Sequence, residues 1–240
     1  MTLSEILTYI ENHPNESGKK RIINRNPELK AYGTTMKDLR DLGVKIGEDH
    51  ELAIRLYETH IYEAMMLSTF IMPSKFVTEE LITTWARKAK ASSIIDQGLA
   101  HLILKCPHYD QWLKAWIKSP ETSLKYAGFS LLSTYFRVES LEKLDINFSK
   151  EALSIIKKTL LDEPITIQNA MNNAVVMAGL HVPGLLDLAH EVASHIGHVM
   201  PLVAKNSCNI QSASDYLNRY IDNPQFSRVA KLNIKSKVNP

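Results

Sequence analysis

Residues 164–197 read PITIQNAMNNAVVMAGLHVPGLLDLAHEVASHIG. Pro164 has no N–H to offer a helix and a φ already set for its first turn, so it suits a helix start. Ile165 to Met177 is apolar at helical spacing, and Gly179 is the predicted stop. Pro183 opens a second helix, Leu185–Ile196, and Gly197 ends it in the manner of a glycine just past a helix C-terminus. The segment therefore predicts two helices joined by a short turn.

The same grammar runs through the rest of the chain. Leu3, Ile6, Leu7 and Ile10 recur at i, i+3, i+4 and i+7, one helical stripe. Thr2 or Ser4 is its predicted cap and Glu5 lies in its first turn. A basic helix is predicted around 19–26. Thr34 and Thr35 precede a helix with Met36, Leu39 and Leu42, with Gly43 as its predicted end. Asp49-His50-Glu51 opens the next, and Pro73 stops the apolar run from Tyr62. Thr78-Glu79-Glu80, Ser92-Ser93, Pro120 and Ser149 are further predicted starts, and 212–220 is the last clear helix. No convincing strand appears. Helical pairs recur roughly every 30–45 residues, the spacing of HEAT and armadillo arrays. The predicted fold is all-α, a right-handed α-α superhelix of HEAT-like pairs over residues 1–225. Residues 226–240, with four basic residues and no acid, are read as a frayed basic tail.

Composition excludes several classes. The 240 residues are 45% hydrophobic and 22% charged, which is globular rather than disordered. Nine glycines are too few for Gly-rich phosphate loops or turn-dense β folds. Cys106 and Cys208 lack any zinc or redox spacing, and the sequence begins directly in an amphipathic pattern without a signal peptide. No apolar run reaches the roughly 18 residues of a membrane span. The expectation is a cytoplasmic protein with no cofactor, no metal and no membrane contact.

The net charge of +2 is unevenly placed: between Ser17 and Lys45 eight basic residues face three acidic ones. Such a patch on a nearly neutral chain suits a polyanion.

Several segments resemble the bacterial alkylpurine DNA glycosylases built from HEAT-like repeats, the DNA alkylation repair enzymes. They are Tyr32-Gly33-Thr34-Thr35-Met36-Lys37-Asp38-Leu39-Arg40, then Asp49-His50-Glu51-Leu52-Ala53 with Tyr62-Glu63-Ala64. Further on come Lys125-Tyr126-Ala127-Gly128-Phe129, Ile167-Gln168-Asn169-Ala170-Met171-Asn172-Asn173-Ala174, and Ile196-Gly197 with Cys208 ahead of Tyr216 and Tyr220. Their order and spacing cover about residues 30–222.

The resemblance implies a carboxylate flanked by two tryptophans, with an arginine nearby for phosphate. Cleaving the bond to an alkylated purine builds positive charge on the sugar, which a carboxylate and aromatic faces stabilise. Asp96 falls at the position of that carboxylate. The tryptophan positions hold Ser92 and Asn173, and the arginine position holds Tyr126. The carboxylate survives while both indoles and the guanidinium do not. The candidate catalytic residues are accordingly Asp96 and Tyr126. Against that stands a plain role for Asp96 at a helix N-terminus, or paired with Lys88 or Lys90. The candidate nucleic-acid contacts are Lys37, Arg40, Lys88, Lys90, Lys125, Asn172 and Asn173. Trp85, Trp112 and Trp116 are read as packing residues, His190, Glu191, His195 and His198 as a surface face, and Cys208 as a buried or half-buried thiol.

Three functions follow from this reading. The first is a DNA-binding protein of the alkylation repair family that holds duplex or damaged DNA in a concave basic groove, its glycosylase chemistry lost or altered. The second is a HEAT-type protein-interaction scaffold, which the near-neutral charge supports. The third is an active DNA N-glycosylase that releases alkylated purines using Asp96.

Overall fold

The computed structural model describes residues 1–199 and 211–238, the side chains of 235–238 excepted. Cys208 lies outside the described residues. Nearly every element is a helix; the described β-pairing consists of two isolated bridges, Lys30 with Ile61 and His198 with Ser212. No helix among the described residues is long and apolar enough to cross a membrane. The chain divides into two compact units, Met1–Trp112 and Leu113–Pro240.

The first unit contains α1 (Leu3–Asn12), α2 (Glu16–Arg25), α3 (Met36–Ile46), α4 (His50–Tyr57), α5 (Tyr62–Ile71) and α6 (Glu79–Lys88). After these, α7 (Ser92–Ile94), a π-helical turn (Ile95–Leu99) and α8 (Ala100–Ile103) run as consecutive turns. Most starts follow the side-chain capping that the sequence shows. Thr2 and Glu5 form a reciprocal capping box, while Asn15, Thr35, Asp49 and Thr78 each accept a first-turn N–H. α5 is the core rod: every residue from Tyr62 to Thr69 is buried, and α1, α3 and α4 pack on it. α2 is its opposite, basic, with no buried residue.

In the second unit α12 (Ile165–His181) is the central rod, surrounded by α10 (Thr122–Val138), α11 (Ile146–Thr159), α13 (Leu186–Ile196), α14 (Ala213–Tyr220) and α15 (Arg228–Val238). The division between the units falls within α9 (Tyr109–Trp116).

Three sequence-based boundaries move, each for a tertiary reason. Gly43 and Gly179 were expected helix ends. α3 instead continues to Gly47, whose φ of +78° supplies the left-handed cap, and α12 continues to Val182. Gly43 is a contact point, where a Cβ would lie 3.3 Å from Phe70 Cβ on α5. A Cβ on Gly179 would lie 2.6 Å from Leu217 Cδ2 on α14. Ser149, the expected start of α11, is one turn inside it; Asp145 caps the helix through the Phe148 N–H at 2.9 Å, and the Ser149 hydroxyl donates to the Asp145 carbonyl.

The segment read as a frayed basic tail holds a helix, α15. Arg228 donates from Nη1 to the Glu139 carbonyl at 2.7 Å and from Nη2 to the carbonyls of Phe136 and Arg137. A guanidinium there satisfies carbonyls that have no partner in the last turn of α10 and complements the helix dipole. Ser227 anchors the same helix by donating to the Leu180 carbonyl at 3.1 Å. His181 lies within the field of this cluster. Burial, then the charges of Arg228, Arg137 and Lys231, lower its pKa from 6.5 to about 4. A lowered folded pKa means that stability is fully present above 6.5 and is lost as pH falls through about 4. Arg228→Gln loses the hydrogen bonds to the end of α10 and should cost roughly 2 kcal/mol at neutral pH in a urea melt; it should also raise the His181 pKa in an NMR titration. An unmoved His181 resonance would refute the coupling.

Candidate nucleic-acid interface

Asp96 sits in the π-helical turn, half-buried rather than sealed in the core. Such turns insert one extra residue into an α-helix and re-aim the side chains around it. The turn packs on α5 through Gly98, where a Cβ would lie 2.6 Å from Thr69 Oγ1. Three residues before Asp96, Ser93 Oγ is hydrogen-bonded to the Tyr62 hydroxyl at 3.0 Å. Burial pushes the pKa of that hydroxyl up; the Ser93 bond and the Arg21 charge oppose the shift, while the Glu63 and Asp96 charges add to it. Asp96 and Arg21 are thus both within electrostatic reach of one phenol.

Beside Tyr62 the first unit has a pocket of about 320 Å³. Its walls come from the start of α2 (Ser17, Arg21, Ile22), from the turn into α3 (Thr35, Met36) and from Tyr62. Two glycines hold α2 against that turn. A Cβ on Gly18 would lie 2.7 Å from the Gly33 carbonyl oxygen, and one on Gly33 would lie 2.0 Å from the Asn15 carbonyl oxygen. Gly33 also has φ +86°, which disfavours any other residue. Behind the turn Glu63 is fully buried, and its Oε1 accepts the N–H groups of Tyr32 at 3.0 Å and Gly33 at 2.6 Å.

The predicted cations of the first unit are differently engaged. Lys37 pairs with Asp41 at 3.7 Å and Lys90 with Glu28 at 3.0 Å, both at the surface, where such pairs contribute little. Arg40 and Lys88 are exposed and have no ion-pair partner among the described residues.

In the second unit two of the predicted residues are engaged or covered. Lys125 on α10 forms a 2.5 Å pair with Glu163 ahead of α12, and both side chains are largely covered. Its charge is answered locally, so it is not an open phosphate contact. Asn172 is fully buried on α12, out of reach of a ligand. Asn173 is half-buried, and its Oδ1 finds no partner among the described residues. Tyr126 lies half-buried on α10 next to Lys125. Asp96 and Tyr126 belong to different units.

The aromatic inventory is structural. Trp85 stacks on Tyr57 with centroids 4.1 Å apart, and the Tyr57 hydroxyl donates to the Trp85 carbonyl at 2.6 Å. Trp85, Trp112 and Trp116 are all buried, so no indole is available for base stacking. Glu191 is paired with Lys157 at 2.6 Å, which lowers its pKa. Burial raises the Cys106 thiol to about 11, and its Sγ donates to the Leu102 carbonyl.

Sequence reasoning missed Arg21, Tyr62 and Ser93 as neighbours of the Asp96 region. The i, i+3 spacing of Ser93 and Asp96 carried a local signal. For Arg21 there was none, because its approach to Tyr62 depends on how α2 is folded back by the Gly18–Gly33 contact.

Comparisons with known proteins agree with this geometry. The sequence model for the DNA alkylation repair enzyme matches residues 7–205. The uncharacterized protein Lin0241 of Listeria innocua is 26% identical over 197 residues, covering 80% of this chain and 84% of its own. Lmo0209 of Listeria monocytogenes, also uncharacterized, is 25% identical with the same coverage. A solved structure superposes with a TM-score of 0.86 at 22% identity, covering 95% of this chain and 98% of its own. It represents a family of proteins related to the HEAT-like repeat DNA glycosylases with affinity for branched DNA structures. The fold is the HEAT-like helical fold of these proteins, and the chain belongs to the DNA alkylation repair enzyme family.

Proposed function

We propose that this protein binds DNA, duplex or damaged, and has lost or altered the base-excision chemistry of its family. The observation that carries the proposal is the loss of the residues that the family resemblance implies alongside a catalytic carboxylate. Asp96 is half-buried, but the residues at the two positions where the resemblance implies tryptophan are Ser92 and Asn173, and the three indoles of the chain are buried. Without electron-rich faces a developing sugar cation is left to one carboxylate. What remains suits binding: exposed cations on α2, on α3 and at the end of α6, namely Lys20, Arg21, Arg25, Arg40 and Lys88. The solved neighbour's affinity for branched DNA supports the same reading.

Backbone binding is tested by its salt dependence. About six phosphate contacts should give a slope of log affinity against log salt near −5. The double variant Arg40→Gln, Lys88→Gln should reduce that slope by about 2, read by fluorescence anisotropy on a labelled duplex. An unchanged slope would remove these two residues from the interface. Incubation with alkylated DNA should release no methylated purine; release that is abolished in Asp96→Asn would instead establish an active glycosylase. A protein-interaction scaffold is the second reading, favoured by the low net charge of +2 and by the local answering of Lys37, Lys90 and Lys125. It predicts no DNA binding above about 0.2 M salt.

A further inference from the structure

We infer that the pocket between α2, the turn into α3 and Tyr62 takes a single unpaired nucleotide, with Arg21 on its phosphate and the Ile22–Met36 wall on its base or sugar. The inference deepens the DNA-binding reading and rests on it for the source of that nucleotide. The pocket's volume, about 320 Å³, is at the lower end of the range for small-molecule sites, too large for a bare phosphate ion to fill.

Its lining divides into two chemistries. Arg21 is the one charged group in the wall, exposed and without an ion-pair partner among the described residues. Ile22 and Met36 contribute apolar side chains to the lining, and Tyr62 an aromatic one. Several other polar groups of the wall are already engaged. The Gly18 N–H bonds to Asn15 Oδ1 at 2.8 Å, Thr35 Oγ1 to Asp38 Oδ2 at 2.7 Å and Thr34 Oγ1 to the His13 carbonyl at 3.1 Å. The Gly18 and Lys19 amides in the first turn of α2 are thus both taken by Asn15. Selectivity falls to a guanidinium, which matches phosphate oxygens in a two-pronged fashion, and to the apolar side chains of Ile22 and Met36. A paired nucleotide presents its phosphate but keeps its base in the stack. One at a flap, branch or frayed end presents both.

Gly18 and Gly33 hold α2 against the turn at backbone contact distance, which fixes the backbone part of the wall.

The test compares a duplex carrying a one-nucleotide flap with the same duplex fully paired, using the full chain. Two variants at exposed positions leave the core untouched: Arg21→Gln removes the charge, and Ser17→Trp fills the pocket. Lys88→Gln serves as a general charge control. Wild type should prefer the flap by about tenfold. Arg21→Gln and Ser17→Trp should each bring that preference close to one, while Lys88→Gln lowers both affinities equally and keeps it. A preference that survives Ser17→Trp, or an Arg21→Gln effect equal on both DNAs, would overturn the pocket assignment. Deoxynucleoside monophosphates and inorganic phosphate are then titrated separately and followed by NMR. Shifts at Ile22 and Met36 with the nucleotide alone support the site, whereas equal shifts with phosphate reduce it to a simple anion site and refute the inference. If no DNA binds at all, the DNA-binding reading fails; nucleotide shifts that vanish in Arg21→Gln would still establish the pocket, and their absence would sink it too.

Discussion

Glu63→Ala should destabilise the chain by about 3–5 kcal/mol, read as a lower midpoint in denaturant melts. The side chain is fully buried on α5, and one of its oxygens holds the N–H groups of Tyr32 and Gly33. Truncation would leave two buried donors unpaired and open a cavity beneath the turn; each effect costs on the order of 1–3 kcal/mol. The turn carries Gly33, which packs on the start of α2, so the loss should also loosen α2 and weaken DNA binding. Glu63→Gln is the sharper probe. It keeps an acceptor for the two N–H groups but removes the charge. Burial raises the Glu63 pKa above 4.5, and the N–H bonds from Gly33 and Tyr32 only partly oppose that. The second carboxyl oxygen is buried without a hydrogen-bond partner among the described residues, which also disfavours the charged form. A raised folded pKa means that the contribution is fully present below 4.5 and is lost as pH rises through the folded value. Wild-type stability should fall over that window, and the fall should be absent in Glu63→Gln. Identical pH profiles for the two proteins would refute the buried-carboxyl account.

Gly128→Ala should cost about 2–4 kcal/mol although it replaces a glycine within a helix. Helix propensity alone favours alanine by roughly 1 kcal/mol. The added Cβ, however, would lie 2.7 Å from both the Ile117 nitrogen and the Trp116 carbonyl carbon, and 2.9 Å from Trp116 Cβ. Two of these atoms are backbone, so relief requires moving α9 or α10 bodily rather than turning a rotamer, and overpacking of that kind costs several kcal/mol. Gly43→Ala is the matched control. Its nearest contact is 3.3 Å from Phe70 Cβ on α5, so its penalty should be far smaller and its sign set by whether Phe70 can shift. A Gly128→Ala variant as stable as wild type would refute the close approach of α9 and α10 at this glycine.

These two residues lie in segments through which the chain resembles its family, and they explain what those segments do. Tyr32-Gly33 and Tyr62-Glu63 are far apart in sequence and meet in one hydrogen-bonded turn. Gly128 of Lys125-Tyr126-Ala127-Gly128-Phe129 is a close-approach point between helices. Asn172 of the α12 segment is interior. Much of the resemblance is therefore carried by the scaffold rather than by residues that touch a ligand. This is how membership of a DNA repair family is compatible with Ser92, Asn173 and Tyr126 at the positions where the resemblance implies two tryptophans and an arginine.

The helical nature of the chain and most helix starts were legible in the sequence, because apolar period and N-capping are local. Thr35, Asp49 and Thr78 cap from within three residues of the N–H they bind. The identity of the buried tryptophans as packing residues was legible too, since Trp112 and Trp116 lie on one helical face. Glycine was not. Gly43 and Gly179 read as stops, yet they are places where one helix presses on another, and nothing nearby in sequence distinguishes a missing Cβ that ends a helix from one that admits a neighbour. The engagement of Lys125 by Glu163, the anchoring of α15 by Arg228 and the approach of Arg21 to Tyr62 join residues separated by 38 to more than 90 positions or by an intervening turn. Hydrogen bonds to a chain's own nearest residues are written in its local order. Which charges are left for a partner depends on distances that exist only after the helices have packed.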